Sequence, residues 1–177
     1  SESDCMTASD SYIYPHMQAA YMRQDKWFCA VKGGHNGERH NHNDVGSFIF
    51  ADDNGQMLTD LGAMEYTAKS FSNLRYTILS NSSLGHSVPI VNGNSQKDGA
   101  QYRAKVLQAD KETFAMELQD AYGENNPKII RSFTVKKDGI ILSDAYENIE
   151  NYSYTERFVS IVKPCLSEKK KKIGNVI

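Results

Sequence analysis

Two histidines stand two residues apart in the run Arg39-His40-Asn41-His42-Asn43-Asp44-Val45-Gly46-Ser47-Phe48, at the mouth of an apolar stretch. On a strand that spacing turns both imidazoles to one face. Two such rings can share one metal ion, or divide the work so that one binds metal while the other handles a proton near neutral pH. By spacing alone, an HxH pair at a loop is more often hydrogen-bonded structure than a ligand set, so the surrounding elements must decide.

Those elements read as strands. Short alternating or apolar runs, bounded by turn residues, recur at 11–14, 19–23, 27–32, 46–51, 56–59, 86–91, 104–109, 113–118, 128–136, 139–146 and 155–162. Asp53-Asn54-Gly55 and Lys137-Asp138-Gly139 are hairpin connections that supply a residue with positive φ. Residues 67–83 break the rhythm, with Ala68, Phe71, Leu74, Ile78 and Leu79 at roughly helical spacing in a polar segment, which predicts a long loop carrying a short helix. So many strands predict an all-β, antiparallel two-sheet sandwich rather than a small barrel.

Pairing 46–51 with 56–59 through the Asp53-Asn54-Gly55 turn places His42, just before one strand, at the same end as Asp60, just after the other. His86 opens a further predicted strand and must arrive by tertiary folding. Two histidines and one aspartate, with a fourth position open to water, suit Zn²⁺ in coordination number and hardness. Asp44 reads either as an acceptor orienting an imidazole or as a turn-forming residue before Val45-Gly46. His16, after Pro15, and His35, in Gly33-Gly34-His35-Asn36-Gly37, read as structural, and that glycine-rich loop lacks a phosphate-binding pattern.

Composition narrows the class. The 177 residues, 40% hydrophobic, suffice for one real core. A net charge of -2 supplies no field for nucleic acid or an anionic membrane, and the lysine run at 169–172 has no aromatic residues interleaved with it. Cys5, Cys29 and Cys165 are odd in number and lack CxxC spacing, which argues against a disulfide framework or thiolate metal site. No apolar run reaches membrane-spanning length, and the N-terminus has no signal-peptide pattern. A first residue other than Met and an abrupt lysine-rich end suggest a single sandwich domain, 1–177, from a longer protein.

Three blocks together resemble one family. His40-Asn41-His42-Asn43-Asp44-Val45-Gly46-Ser47-Phe48, then Leu58-Thr59-Asp60-Leu61-Gly62 with Tyr66, then His86-Ser87-Val88-Pro89-Ile90-Val91-Asn92-Gly93 followed by Gln96, look like the C-terminal part of the heparinase II/III-like polysaccharide lyases. The resemblance implies an N-terminal α/α toroid followed by a supersandwich-like β domain, with the active site between them. It implies β-elimination on uronic-acid polysaccharides such as glycosaminoglycans or alginate. By the same resemblance His42, Asp60 and His86 fall on zinc ligands and His40 on a catalytic histidine. Tyr66 and Arg39 read as surface residues more readily than as substrate contacts, and Arg39, Lys69 and Arg75 could make the cleft locally basic. Zinc there braces the loops of the cleft. A periplasmic or secreted location, an acidic polysaccharide as substrate and a toroid partner in cis follow as expectations. No segment of this chain has the amphipathic helices of a toroid, so the isolated chain is expected to be inactive.

Two alternatives belong to other classes. A carbohydrate-binding or structural sandwich would use exposed tyrosines and leave the histidines incidental. A cupin-like oxygenase shares HxH but wants a glutamate shortly afterwards, where Val45-Gly46-Ser47-Phe48 has none.

Overall fold

Alternation between buried and exposed residues builds the first layer. Strands β1 (Ser11–Tyr14), β2 (Ala19–Gln24) and β3 (Trp27–Lys32) run antiparallel, and in β3 Trp27, Cys29 and Val31 point inward while Phe28, Ala30 and Lys32 do not. After the two-residue β4 (His35–Asn36), β5 (Phe48–Asp52) pairs with β3 and hairpins into β6 (Gly55–Leu58), giving a five-stranded sheet in the order β1-β2-β3-β5-β6. The computed structural model describes residues 11–123, 125–147 and 149–163.

The second layer follows β7 (Ile90–Val91) and β8 (Gly99–Arg103). It consists of β9 (Lys105–Ala109), β10 (Thr113–Glu117), β11 (Ile129–Lys136) and β12 (Gly139–Tyr146), ordered β12-β11-β10-β9, with a one-turn helix α1 (Gln119–Tyr122) between β10 and β11. Two small ribbons, β4 with β8 and β7 with β13 (Tyr154–Thr155), complete the described strands. Met22, Trp27, Phe48 and Phe50 of the first sheet share one core with Phe114, Met116, Ile129 and Phe133 of the second. Phe48 and Phe133 meet edge to face across the layers, ring centroids 5.2 Å apart. Each such side chain contributes roughly 1.5–3 kcal/mol by leaving water, and this burial is what makes the expected all-β sandwich.

Both expected hairpins form, at Asp52↔Gly55 and Lys136↔Gly139. Elsewhere the strands depart from expectation. Of residues 104–109, Lys105–Ala109 form β9, and an unexpected β8 precedes them because β4 supplies it with a partner. Of 86–91 only Ile90–Val91 is strand, since His86 and Ser87 are held by side-chain and tertiary bonds. Of 155–162 only Thr155 is in a strand; Val159 instead accepts the Thr59 N–H and Ser160 bridges Leu58.

The short helix expected within 67–83 is replaced by separate 3-10 turns, Ala68–Phe71, Arg75–Thr77 and Leu79–Asn81, followed by Ser83–Gly85. Phe71, Leu74 and Leu79 are exposed, so no buried face repays helix nucleation. The hydroxyls of Ser72, Thr77 and Ser82 donate to the carbonyls of Lys69, Leu74 and Leu79, closing each turn locally. Among the described residues no helix is long and apolar enough to cross a membrane. Cys5, Cys165 and the lysine run lie outside the described residues.

Candidate metal centre

His42, Asp60 and His86 come together from three separate segments. Each offers one ligand atom, and these atoms all lie within 4.8 Å of one another. The β5–β6 hairpin delivers the first two, as its geometry predicts: His42 lies in the loop before β5 and Asp60 just after β6. His86 follows the last 3-10 turn and is fully buried.

Asp60 and His86 are held by their own hydrogen bonds, and His42 through its neighbours Asn41 and Asn43. The Asn43 N–H donates to the Asn81 carbonyl at 2.9 Å, and Asn41 is gripped twice: Arg75 Nη2 donates to its carbonyl at 2.9 Å and Tyr76 to its Oδ1 at 2.8 Å. Asp60 Oδ1 accepts the Gly62 N–H at 2.8 Å, which leaves Oδ2 to face His86. His86 Nε2 donates to the Ser80 carbonyl at 2.8 Å, and its Nδ1 meets Asp60 Oδ2 at 2.5 Å. A carbonyl can only accept, so Nε2 keeps its hydrogen and Nδ1 is the atom turned to the centre.

A further set of bonds ties the His42 and His86 segments to the sandwich. The Gln96 side chain pairs with the Val45 peptide as a strand would, accepting its N–H at 3.0 Å and donating to its carbonyl at 2.7 Å. Ser83 donates to the Asn43 carbonyl at 2.7 Å and accepts the Gln96 N–H at 3.0 Å. Gly46 has φ +86°, and a Cβ there would come within 2.9 Å of Leu118. Only glycine fits that turn without strain.

The electrostatics distinguish the two imidazoles. Burial and the neighbouring His86 hold His42 below its ordinary pKa, against the pull of Asp44 and Asp60. Burial also opposes a charged His86, but the Asp60 hydrogen bond and the charges of Asp44 and Asp60 prevail and raise it. Asp60 is the converse case: burial pushes its carboxyl up, and the His86 bond and charge outweigh this to hold it low. A proton at the Nδ1–Oδ2 junction therefore does what a cation in the same place would do.

Donor chemistry fits zinc. Two imidazole nitrogens and a carboxylate oxygen form a familiar set, and a 4.8 Å spread is only slightly wider than twice a zinc–ligand bond of about 2.1 Å.

His40 is not part of this cluster. The expectation that both histidines of the run share a strand face fails, because residues 39–42 are not a strand and His40 takes the left-handed conformation, φ +59°. Its exposed ring turns to Tyr66, whose hydroxyl lies 3.2 Å from Nδ1, while Phe71 stacks on the Tyr66 ring with centroids 5.5 Å apart. Asp44 orients no imidazole: Lys32 Nζ donates to it at 2.5 Å. Arg75 is spent on the Ser70 and Asn41 carbonyls, while Arg39 and Lys69 are exposed. His35 Nδ1 accepts the Gly37 N–H, in keeping with a structural role, and His16 is exposed in a turn. Cys29 is buried, with its thiol pushed up to about 12 by burial.

Ser80, Ser83 and the buried Arg131 also support the site, and sequence reasoning misses all three. A carbonyl's direction leaves no trace in sequence, whereas Arg131, at an inward position between Ile129 and Phe133, breaks an apolar alternation and is legible in principle.

Similarities to known proteins agree with this architecture. Among curated proteins, none matches the chain. Among solved structures, heparinase III superposes with a TM-score of 0.63 at 17% identity, over 78% of this chain and 22% of that one. The heparan sulfate lyase HepC from Pedobacter heparinus superposes with a TM-score of 0.60 at 13% identity, over 77% of this chain and 22% of that one. The chain thus spans little more than a fifth of these relatives, and at such identities the likeness concerns the fold. The family model described as heparinase II/III-like, C-terminal, matches residues 7–160. Nearly the whole described sandwich lies within that match, and the chain belongs to the heparinase II/III-like C-terminal family.

Proposed function

We propose that this sandwich is the C-terminal part of a zinc-containing polysaccharide lyase that cleaves uronic-acid polymers by β-elimination. The observation that carries the reading is the convergence of His42, Asp60 and His86 within this family's fold. The remaining catalytic groups would come in cis from an α/α toroid, and a periplasmic or secreted site of action accompanies a polymeric substrate.

His42, Asp60 and His86 are the residues that would hold the metal, through one nitrogen of each histidine and Asp60 Oδ2. Bound zinc there supplies a positive brace between the loop before β5, the end of β6 and the segment after the 3-10 turns. The chain's own chemistry falls to His40. In β-elimination a base takes the proton at C5 of the uronate, the electron pair forms the C4–C5 double bond, and the C4–O bond breaks with protonation of the departing oxygen. The C5 proton is weakly acidic, so charge developing on the carboxylate must be neutralised as it leaves. His40 is exposed, oriented by Tyr66 and free of the metal cluster, which suits it to neutralise the uronate or to carry that proton.

The test is turnover by the longer protein, followed through the ultraviolet absorbance of the unsaturated uronate product. The reading expects His40→Ala to abolish turnover while zinc content stays unchanged, and His42→Ala to lose both. Undiminished turnover in His40→Ala would exclude the role given to that residue.

A further inference from the structure

Arg131 is the largest fully buried side chain among the described residues. It occupies an inward position of β11, where its neighbours in the pattern, Ile129 and Phe133, are apolar. Its register partner on β12 is Asp144, whose carboxylate accepts from Nε and Nη2 at 2.8 Å each, and Nη2 also reaches Glu156 at 2.9 Å. Burial pushes the Glu156 carboxyl up to about 7 against the pull of Arg131 and with the help of Asp144. Asp144 makes the forked, in-register pair with the guanidinium, while Glu156 accepts from Nη2 only.

The remaining nitrogen links this group to the metal centre. Nη1 carries two hydrogens, and it donates to two carbonyls: Gly46 at 3.0 Å and Ser87 at 2.9 Å. Gly46 closes the loop that carries His42, and Ser87 directly follows His86. One nitrogen atom, fixed by the forked Asp144 pair to the centre of the second sheet, is thus bonded to both ligand-bearing segments. Asp144 and Glu156 engage Nε and Nη2, so the buried Nη1 needs two further acceptors, and the two it has belong to the segments that carry His42 and His86.

We propose that Arg131 is a positioning residue for the metal centre, setting the distance between the His42 and His86 segments through the Gly46 and Ser87 carbonyls. This rests on the zinc reading of the site. It makes ligand spacing a property of the rigid second sheet rather than of the two loops, so that loop-ordering entropy is settled during folding rather than on metal binding.

The experiment measures Zn²⁺ affinity by chelator competition, and the absorption spectrum of the Co²⁺ form, on the 177-residue chain and its variants. Arg131→Lys keeps the charge beside Asp144 but has no fork to reach both carbonyls. It is expected to fold, to bind Zn²⁺ about 10–100-fold more weakly, the range for lost supporting contacts, and to shift the Co²⁺ spectrum. Glu156→Gln leaves both carbonyl bonds intact and is expected to keep Zn²⁺ affinity within about twofold, whatever it does to the melting temperature. If Arg131→Lys does not fold, the charge-balanced R131Q/D144N variant takes its place with the same expectation. A folded Arg131 variant with unchanged affinity and spectrum overturns the positioning role alone. Wild-type chain that binds no metal overturns the zinc reading and this inference with it.

Discussion

His86 Nδ1 and Asp60 Oδ2 lie 2.5 Å apart although the residues are 26 positions apart in sequence. The pair closes the loop of 3-10 turns onto the end of β6, and it needs a positive charge, proton or metal, at the junction. In the metal-free chain this sets a pH dependence of stability. The folded pKa of His86 is raised above its ordinary 6.5, so its contribution is full below that value and is lost as pH rises through the raised one. The folded pKa of Asp60 is lowered below 3.8, so its contribution is full above 3.8 and lost as pH falls through the lowered value. His42, whose pKa is lowered, acts in the opposite sense to His86, so the pair is best isolated by difference. The stability lost in Asp60→Asn, measured by urea unfolding without metal, should be greatest between about pH 4 and 6.5 and shrink above it. Added zinc requires neutral rings, so its stabilisation should grow over the same rise.

Truncating His86 removes a fully buried ring and leaves the Ser80 carbonyl and Asp60 Oδ2 without their donor. His86→Ala should cost about 2–4 kcal/mol even without metal. Urea unfolding at pH 6 with an unchanged m-value checks this.

His40 should behave otherwise. Its ring is exposed, so His40→Ala should change stability by no more than about 0.5 kcal/mol. At φ +59° the backbone favours glycine, and His40→Gly should raise stability by about 0.5–1 kcal/mol. Neither variant should alter metal content. Thermal unfolding and metal analysis on the same samples test both statements.

Gly46 joins the centre to the core. Its φ is +86° and a methyl group on its Cα would sit 2.9 Å from Leu118, so Gly46→Ala should destabilise by more than about 1 kcal/mol. Because the Arg131 bond to its carbonyl moves with that turn, zinc affinity should fall as well. Paired unfolding and chelator-competition measurements separate the two effects.

What is legible in the sequence is local. The Asp53-Asn54-Gly55 and Lys137-Asp138-Gly139 turns announce their hairpins, and the first of these alone places His42 beside Asp60. Period-two alternation likewise exposes the buried faces of β3 and β11. Sequence misleads where local pattern and tertiary context conflict. The HxH spacing resembles a strand pair, yet His40 takes a left-handed turn, and the spacing in 67–83 resembles a helix although Phe71, Leu74 and Leu79 stay exposed. The arrival of His86 depends on Ser80, on Ser83 held by the Gln96 N–H, and on Arg131, whose bonds run to or from main-chain atoms that no residue type advertises.

Whether His42, Asp60 and His86 together bind one zinc ion is tested most directly by metal analysis of the purified chain, with thermal unfolding before and after chelation. The expected result is about one Zn²⁺ per chain in wild type, none in Asp60→Asn, and a rise in Tm of roughly 5–10 °C when free zinc is about 100-fold above its Kd. A wild-type chain that holds no zinc and melts at the same temperature with and without it would contradict the metal centre.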